Sequence, residues 1–362
     1  IVRETQLVIY ARSVIMGNIF CDRHHSGLAF SLKLLARRLN FEIYFPIGME
    51  WFENGYFDIA KPYNNNPDTI KQFLQIKPEY IPIDGTPPLN TVVASNLTHY
   101  EVEEKAHSYI QRCITFQQFL DMDIDIIIAS IPDHWITYEK LRQKYKPQAK
   151  LICQMGNIGW HNLELLKDGT VKNLLASVKP FKLPQNVNAC FYHQEVDIKV
   201  FTQQFLRKTK KISSFVIGLP DEKVFFEYKR VMPDYNFTAY ASKYTPFIQT
   251  IKELSEKIGE SDFVFNHKPY GDGFGHILYS SAFVGRPFLI DFNDYSDKLG
   301  GELLEDGITA IDIGVRTTAQ NVELIRKSNP KQMGLNIAKH VRELVDYGKE
   351  ATEVRHFIDN LK

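Results

Sequence analysis

The sequence predicts an α/β fold built twice over. Three observations carry that expectation: short strand-like runs alternate with amphipathic helix-like ones, the alternation restarts near Ser213, and a glycine-rich turn joins a strand to a helix late in the second round. With 362 residues the chain also exceeds the size at which one hydrophobic core keeps growing, so two domains are expected.

Taken in order, Gln6 to Tyr10 reads as a strand. Ser26 to Leu39 carries Leu28, Leu32, Leu35 and Leu39 on one face, as an amphipathic helix should. Phe41 to Phe45 is a second strand, followed by an Asn/Pro-rich insertion from Glu53 to Pro88 that holds a helix-like stretch, Pro67 to Leu74. Thr91 to Ser95 reads as a strand and Cys113 to Asp121 as a helix feeding Ile124 to Ala129, the clearest buried strand. A helix from Thr137 to Tyr145 and strands from Lys150 to Gln154 and Asn188 to Tyr192 complete the first half.

The second half repeats the pattern. Strands are expected at Ser213 to Ile217, Asn236 to Ala241, Asp262 to Phe265, Phe288 to Asp291 and Thr309 to Ile313. Helices are expected at Glu222 to Arg230, Thr245 to Ile258 and Ile277 to Val284, with three more to the end, the middle one opened by Asn329-Pro330 in cap and first-turn positions. Two such alternations give two parallel sheets covered by helices, and ligands in these folds bind at the carboxyl ends of the strands.

Composition narrows the function. Equal numbers of basic and acidic residues, 43 of each, give no global field for nucleic acid or an anionic membrane. No window approaches the roughly 18 uninterrupted apolar residues that span a bilayer, and no signal-peptide pattern opens the chain, so a soluble cytoplasmic protein is expected. Cys21, Cys113, Cys153 and Cys190 are scattered without zinc-ligand spacing, which suits buried reduced thiols and no metal. Asp121-Met-Asp123 has a metal-motif spacing but precedes a strand rather than ending one, and reads as a solvated turn.

The chemistry concentrates in loops. Asn266-His-Lys-Pro-Tyr-Gly-Asp-Gly-Phe-Gly-His276 leaves a strand and opens a helix, where unpaired N–H groups and glycine's missing Cβ let an anion approach. Lys268 adds a mobile positive charge, so the stretch reads as a phosphate cradle or as a plain tight turn. Ile19-Phe-Cys-Asp-Arg-His-His-Ser-Gly27 is dense in titratable groups; its Asp22 and Ser26 serve as helix caps, or its histidines serve a ligand. In Ser130-Ile-Pro-Asp-His-Trp135, Asp133 and His134 end the strongest strand, where a base can take a proton from an acceptor hydroxyl, while Asp133 as a cap and Trp135 in the core is the structural alternative. Gln154-Met-Gly-Asn-Ile-Gly-Trp-His161 and His193-Gln-Glu195 follow two further strands, the latter near the domain junction. Arg286, charged in an apolar context, pairs with a carboxylate such as Asp291 or reaches a nucleotide.

Asp272-Gly-Phe-Gly275, followed by Ala282 and Gly285-Arg286-Pro287, resembles the donor-site signature of GT-B glycosyltransferases. Arg23-His-His-Ser-Gly-Leu28 and Tyr44-Phe-Pro-Ile-Gly-Met-Glu-Trp51 look like the amino-terminal part of a glycosyltransferase group common among phages and environmental bacteria, as do Gln154-Met-Gly-Asn157 and Tyr192-His-Gln-Glu195. The resemblance implies a GT-B fold through nearly the whole chain: two Rossmann-like domains with parallel sheets facing across a cleft. It implies an acceptor-side domain over residues 1–200, a nucleotide-sugar domain over 201–335, and a C-terminal helix in 336–362 packing back on the first.

The activity implied is transfer of a sugar from a nucleoside-diphosphate sugar to a glycan or metabolite hydroxyl, with no cofactor or metal. Ser26, Gly27, Lys268, Asp272, Gly273, Phe274, Gly275 and His276 would hold the diphosphate and sugar. His25, Asp133 and His134 are the candidate catalytic groups. The commonest retaining families carry two glutamates eight positions apart, the second on the nucleotide ribose; this chain has Asp272 and Ser280 there, which leaves Ser280 at the nucleoside. Three alternatives stand beside this reading: a hydroxylated DNA base as acceptor, a sugar-nucleotide epimerase, and a silent nucleotide-sugar binder.

Overall fold

A computed structural model describes residues 17–22, 26–46, 79–80, 90–95, 97–104, 106–114, 116–156, 164–178, 183–205, 209–216, 219–240, 245, 248–269, 275–296 and 298–361. The expected strand at Gln6 to Tyr10 and the helix-like Pro67 to Leu74 lie outside these residues.

The first sheet contains β1 (Gly17–Cys21), β2 (Phe41–Pro46), β3 (Glu79–Tyr80), β4 (Asn90–Ser95), β5 (Tyr100–Glu104), β6 (Tyr109–Ile114), β7 (Ile126–Ala129), β8 (Lys150–Met155), β9 (Asn173–Ala176) and β10 (Asn188–Phe191). Its order is β10-β9-β8-β7-β1-β2-β6-β5-β4-β3. The pairs from β10 to β6 are parallel, and β6 to β3 form an antiparallel edge. That edge departs from the sequence expectation: Cys113 ends a strand, and the helix begins only at α2 (Phe116–Asp121). The partner strand β5, Tyr-Glu-Val-Glu-Glu, buries Val102 and Glu104 while its other residues are half-exposed, so its sequence carries little of the apolar signal of a strand.

Helices cover both faces. α1 (Ser26–Arg38) buries Leu28, Leu32 and Leu35 on one face of the first sheet, with Arg37 and Arg38 in the last turn complementing the helix dipole. α3 (Trp135–Tyr145) and α2 cover the other face through Trp135, Tyr138 and Phe119. Trp135 is therefore a core residue.

The second sheet is wholly parallel, in the order β12-β11-β13-β14-β15: β11 (Lys211–Ser214), β12 (Asn236–Ala239), β13 (Phe263–Phe265), β14 (Phe288–Ile290) and β15 (Ala310–Asp312). α5 (Glu222–Val231) and α8 (Thr318–Lys327) pack on one face through Phe225, Tyr228, Val322 and Ile325. α6 (Ile251–Gly259), α7 (His276–Val284) and α9 (Pro330–Leu344) pack on the other through Ile258, Leu278, Ala282, Ile337 and Val341. Asn329 caps α9 by accepting the Gln332 N–H at 3.2 Å, with Pro330 at the first helical position.

The last helix, α10 (Tyr347–Asp359), crosses back. Ala351, Val354, Phe357 and Ile358 join the core of the first sheet beside α1, and Lys150 donates to the Ile358 carbonyl at 2.9 Å. Among the described residues, no helix is long and apolar enough to cross a membrane.

Candidate functional site

The central strand of the second sheet, β13, ends at Asn266, whose amide donates to the Tyr295 hydroxyl at 2.8 Å. His267 and Lys268 follow at the carboxyl end, both half-buried. Asp272, Gly273 and Phe274 lie outside the described residues. Gly275 caps α7 with φ of 65°, a left-handed conformation that disfavours any side chain, and Gly285 ends the same helix at φ of 81°. The motif glycines thus fix where the helix starts and stops. The first turn of α7 contains no acidic residue, so its partial positive charge is not offset from within the helix.

His276, the first residue of α7, meets the first half of the chain. Its ring stands edge-on to Phe201 at 5.9 Å and to His107 at 6.3 Å, and His107 stacks on Phe30 of α1 at 4.8 Å. His107 sits in the β5–β6 turn, where Glu104 accepts its backbone N–H at 2.7 Å and lies 3.0 Å from its Nδ1. A backbone bond from Ile251 to Ala106, 2.8 Å, crosses the same junction. The helix start that was read as a phosphate cradle therefore lies where the two sheets' loops meet. His107 carries no signal in the sequence, because the polar strand β5 hides the hairpin that presents it. Ser280 is fully buried one turn along, its Oγ 3.3 Å from His276 Nδ1.

At the carboxyl end of the first sheet the parallel register sets Ile19 beside Ile126 and Cys21 beside Ile128. Asp22 and Ser130 consequently emerge side by side. The Asp22 carboxylate accepts the Ser130 N–H at 2.6 Å and makes a short hydrogen bond to His134 Nδ1. Both side chains are buried. A carboxylate at Nδ1 holds the proton there and leaves Nε2 as the basic nitrogen, the arrangement that orients a histidine for proton abstraction. Of the sequence candidates, His134 is thus brought to a buried acid partner, and Asp133 lies beside it in the short 3-10 turn Pro132–His134. Asp22, a helix cap in one of the two readings of its loop, pairs with His134. Gly27 is buried near the start of α1 and Ser26 opens that helix, while His25 lies outside the described residues.

The segment after β10 ties the halves together. His193 donates its backbone N–H to Glu350 at 2.7 Å, its Nδ1 lies 2.8 Å from the same carboxylate, and its ring packs on Tyr279 of α7. Glu195 receives Arg38 through two bonds of 2.6 and 2.7 Å, and that bond raises the guanidinium's pKa. Arg286 takes neither expected role. It is buried, donates to the carbonyls of Gln204, Gly285 and Gly259, and is pushed down to about 10 by burial, with Asp262 as the nearby countercharge. Asp291 instead caps a 3-10 turn by accepting the Asn293 N–H at 2.9 Å.

One grouping escaped the sequence reading. His267, Asp291 and Asp294 bring one ligand atom each within 4.8 Å of one another, a set able to hold a divalent cation. These side chains also have structural work, since His267 Nδ1 is 3.0 Å from Asp221 and Asp291 is a cap.

No protein-family model matches the chain, and no curated protein matches it. Solved structures do. Anabaena Alr3699/HepE in complex with UDP and glucose superposes with a TM-score of 0.59 at 10% identity, over 96% of this chain and 100% of that one. Sucrose-phosphate synthase from Thermosynechococcus elongatus gives 0.57 at 8% identity, over 94% and 98% of the two chains. A glycosyltransferase from Rickettsia africae gives 0.57 at 10% identity, over 95% and 98%. The superpositions over nearly the whole length give the chain the GT-B fold, with a mostly parallel first sheet and a wholly parallel second one, each covered by helices.

Proposed function

We propose that the protein transfers a sugar from a nucleoside-diphosphate sugar to an acceptor hydroxyl. The observation that carries this reading is the start of α7, a glycine-opened helix end that meets the first half of the chain through His276, with Lys268 at the carboxyl end of the strand before it. Nucleotide sugars bind HepE, which is similar in fold, and UDP is accordingly the nucleotide to test first. In this division of labour residues 1–200 serve the acceptor, 201–335 the nucleotide sugar, and the C-terminal helix within 336–362 ties back to the first part.

In the reaction, the bond between the anomeric carbon and the diphosphate oxygen breaks as one to the acceptor oxygen forms. Charge builds on the departing diphosphate. Lys268 and the backbone amides from Gly273 to His276 stabilise it, with Ser26 and Gly27 approaching from the first domain, and fixed donors lower that barrier more than mobile ones. Asp272 and Phe274 contact the sugar, and Ser280 backs the nucleoside end of the helix. His134 takes the acceptor proton at Nε2 while Asp22 holds its other nitrogen. His25 and Asp133 are the alternative bases. The helix end and the lysine supply the charge that a metal would, so transfer proceeds in EDTA.

The test is incubation with a panel of nucleotide sugars and simple acceptors. Slow donor hydrolysis or transfer supports the reading, isomerised donor points to an epimerase, and tight binding with neither points to a binding module. Lys268→Ala is expected to weaken UDP binding and slow turnover. Unchanged kinetics in that variant would remove the lysine from the mechanism.

A further inference from the structure

The carboxyl ends of four neighbouring strands carry a row of neutral polar side chains. Ser130 follows β7, Gln154 lies near the end of β8, Ser177 follows β9 and Tyr192 follows β10. The registers Ala129 to Cys153 and Ala176 to Phe191 set Ser130 beside Gln154 and Ser177 beside Tyr192, while Gln154 pairs with Leu175, two residues before Ser177 on the same face. Side chains alternate along a strand, so each continues the face of Ile128, Ile152, Leu175 or Cys190. At Gly156, just beyond β8, a Cβ would lie 2.8 Å from Gln194 Nε2, 3.6 Å from Gln154 Nε2 and 3.7 Å from Ser177 Oγ, which places these groups around one bare Cα.

The four side chains of the row, and Gln194 beside them, are at most 3% exposed. Yet Ser130 Oγ and Ser177 Oγ make no hydrogen bond, and the Gln154 amide has no partner beyond the Tyr192 hydroxyl beside it. Each unmet buried group costs about 1–3 kcal/mol, so leaving three unmet would offset stability on the order of 3–9 kcal/mol, a large share of what a domain typically has. A partner that both donates and accepts, water or a ligand hydroxyl, suits them.

We infer that this row is a subsite for the hydroxyls of a sugar ring, a deepening that rests on the transferase reading. A hydroxyl donates one hydrogen bond and accepts two, which matches a set combining amide N–H, amide C=O and O–H groups. An anion such as phosphate only accepts and would leave Gln154 Oε1 unmet. The location agrees, because ligands of parallel sheets bind at carboxyl ends, and a backbone bridge from Val178 to Lys298 brings the second half of the chain against the same strand end. The ring can belong to the donor or to the acceptor.

The experiment uses the full chain and the variants Gln154→Leu and Ser177→Ala, with UDP and UDP-glucose followed by titration calorimetry and free glucose by saturation-transfer NMR. Both variants are expected to bind UDP as the wild type does and to melt no lower, since an apolar side chain of similar size removes a partly unmet amide rather than a packing contact. If the ring is the donor's, the preference for UDP-glucose over UDP falls about tenfold or more, the loss expected for one buried hydrogen bond of about 1.4 kcal/mol. If it is the acceptor's, UDP-glucose binding holds and the glucose signal disappears. Identical binding of both ligands by wild type and variants overturns the inference and leaves water in the row. Failure of the wild type to bind UDP sinks the transferase reading instead, and the glucose arm then decides: a signal lost in Gln154→Leu upholds the subsite, and no wild-type signal ends it.

Discussion

Asp22 decides which nitrogen of His134 carries the proton. Asn at that position keeps the shape and the acceptor for the Ser130 N–H, but its amide then donates to Nδ1 and moves the proton to Nε2. On the proposed reaction, Asp22→Asn should lower kcat roughly 10²- to 10⁴-fold, the usual worth of a general base, with the donor KM unchanged. Steady-state kinetics separate this from a structural role, which would lower the melting temperature and spare kcat. Lys33 makes a second prediction at this scale. Burial, then the nearby Arg112 and Arg37, lowers its pKa to about 8, although it donates to the Ile110 carbonyl and lies over the Tyr109 ring. Its charged form is disfavoured in the fold, so below about pH 8 the fold bears a penalty that vanishes as pH rises through 8 toward 10.5, where the unfolded chain also loses its proton. Lys33→Met should therefore stabilise by about 1–2 kcal/mol at pH 7, a figure discounted for the amine's partial exposure, and by nothing at pH 10.5. Denaturant unfolding at the two pH values checks it; a gain that is constant with pH would assign the effect to packing. His134 was legible in the sequence because it follows an unmistakable buried strand. Its partner, 112 residues away, was not, since only the β1–β7 register brings Asp22 to it.

The elements show the same division between local and non-local information. Strands such as Ile126–Ala129 and helices such as Pro330–Leu344 announce themselves through apolar runs, periodicity and caps, and they stand within a few residues of expectation. The β5–β6 hairpin and β9 did not, because β5 is polar and β9 has only four residues, too few to set a period. The first described strand, Gly17–Cys21, overlaps what the sequence suggested was a polar loop, so Ile19, Phe20 and Cys21 are core residues. The polar row at the sheet's end was equally hidden, as it takes β9 and β10 to align it. At this scale α10 makes the sharpest prediction. It belongs by sequence to the second half and by packing to the first, with Phe357 only 6% exposed in the first sheet's core. Phe357→Ala should destabilise the protein by about 3–5 kcal/mol and do so through the first domain. Hydrogen exchange would show faster opening in β1 and α1 than in β13; uniform acceleration would mean that the two halves unfold as one.

For the whole molecule the charge distribution argues about the acceptor. The chain balances 43 basic against 43 acidic residues, so a DNA acceptor would need a local basic groove. The densest basic run, Arg207-Lys-Thr-Lys-Lys211, is the natural place to look for one. Within it Lys210 pairs with Asp234 at 3.2 Å and Lys211 with Glu260 at 2.6 Å, while Asp234 also receives Arg326 and Glu260 also receives Lys257. These lysines already have carboxylate partners at the amino-terminal end of the second sheet, opposite the strand ends that carry the glycine loop. A protein that neutralises several phosphates shows log K falling against log salt with a slope of roughly −0.9 per phosphate. We expect a slope near zero here, and weak association with duplex or single-stranded DNA even at low salt, measured by fluorescence anisotropy between about 50 and 200 mM salt. A slope equivalent to several phosphates would restore the DNA acceptor and move attention to a basic surface elsewhere. A flat one supports a glycan or small-metabolite hydroxyl as the acceptor, a group of the same chemistry as the sugar hydroxyls proposed for the neutral polar row at the carboxyl end of the first sheet.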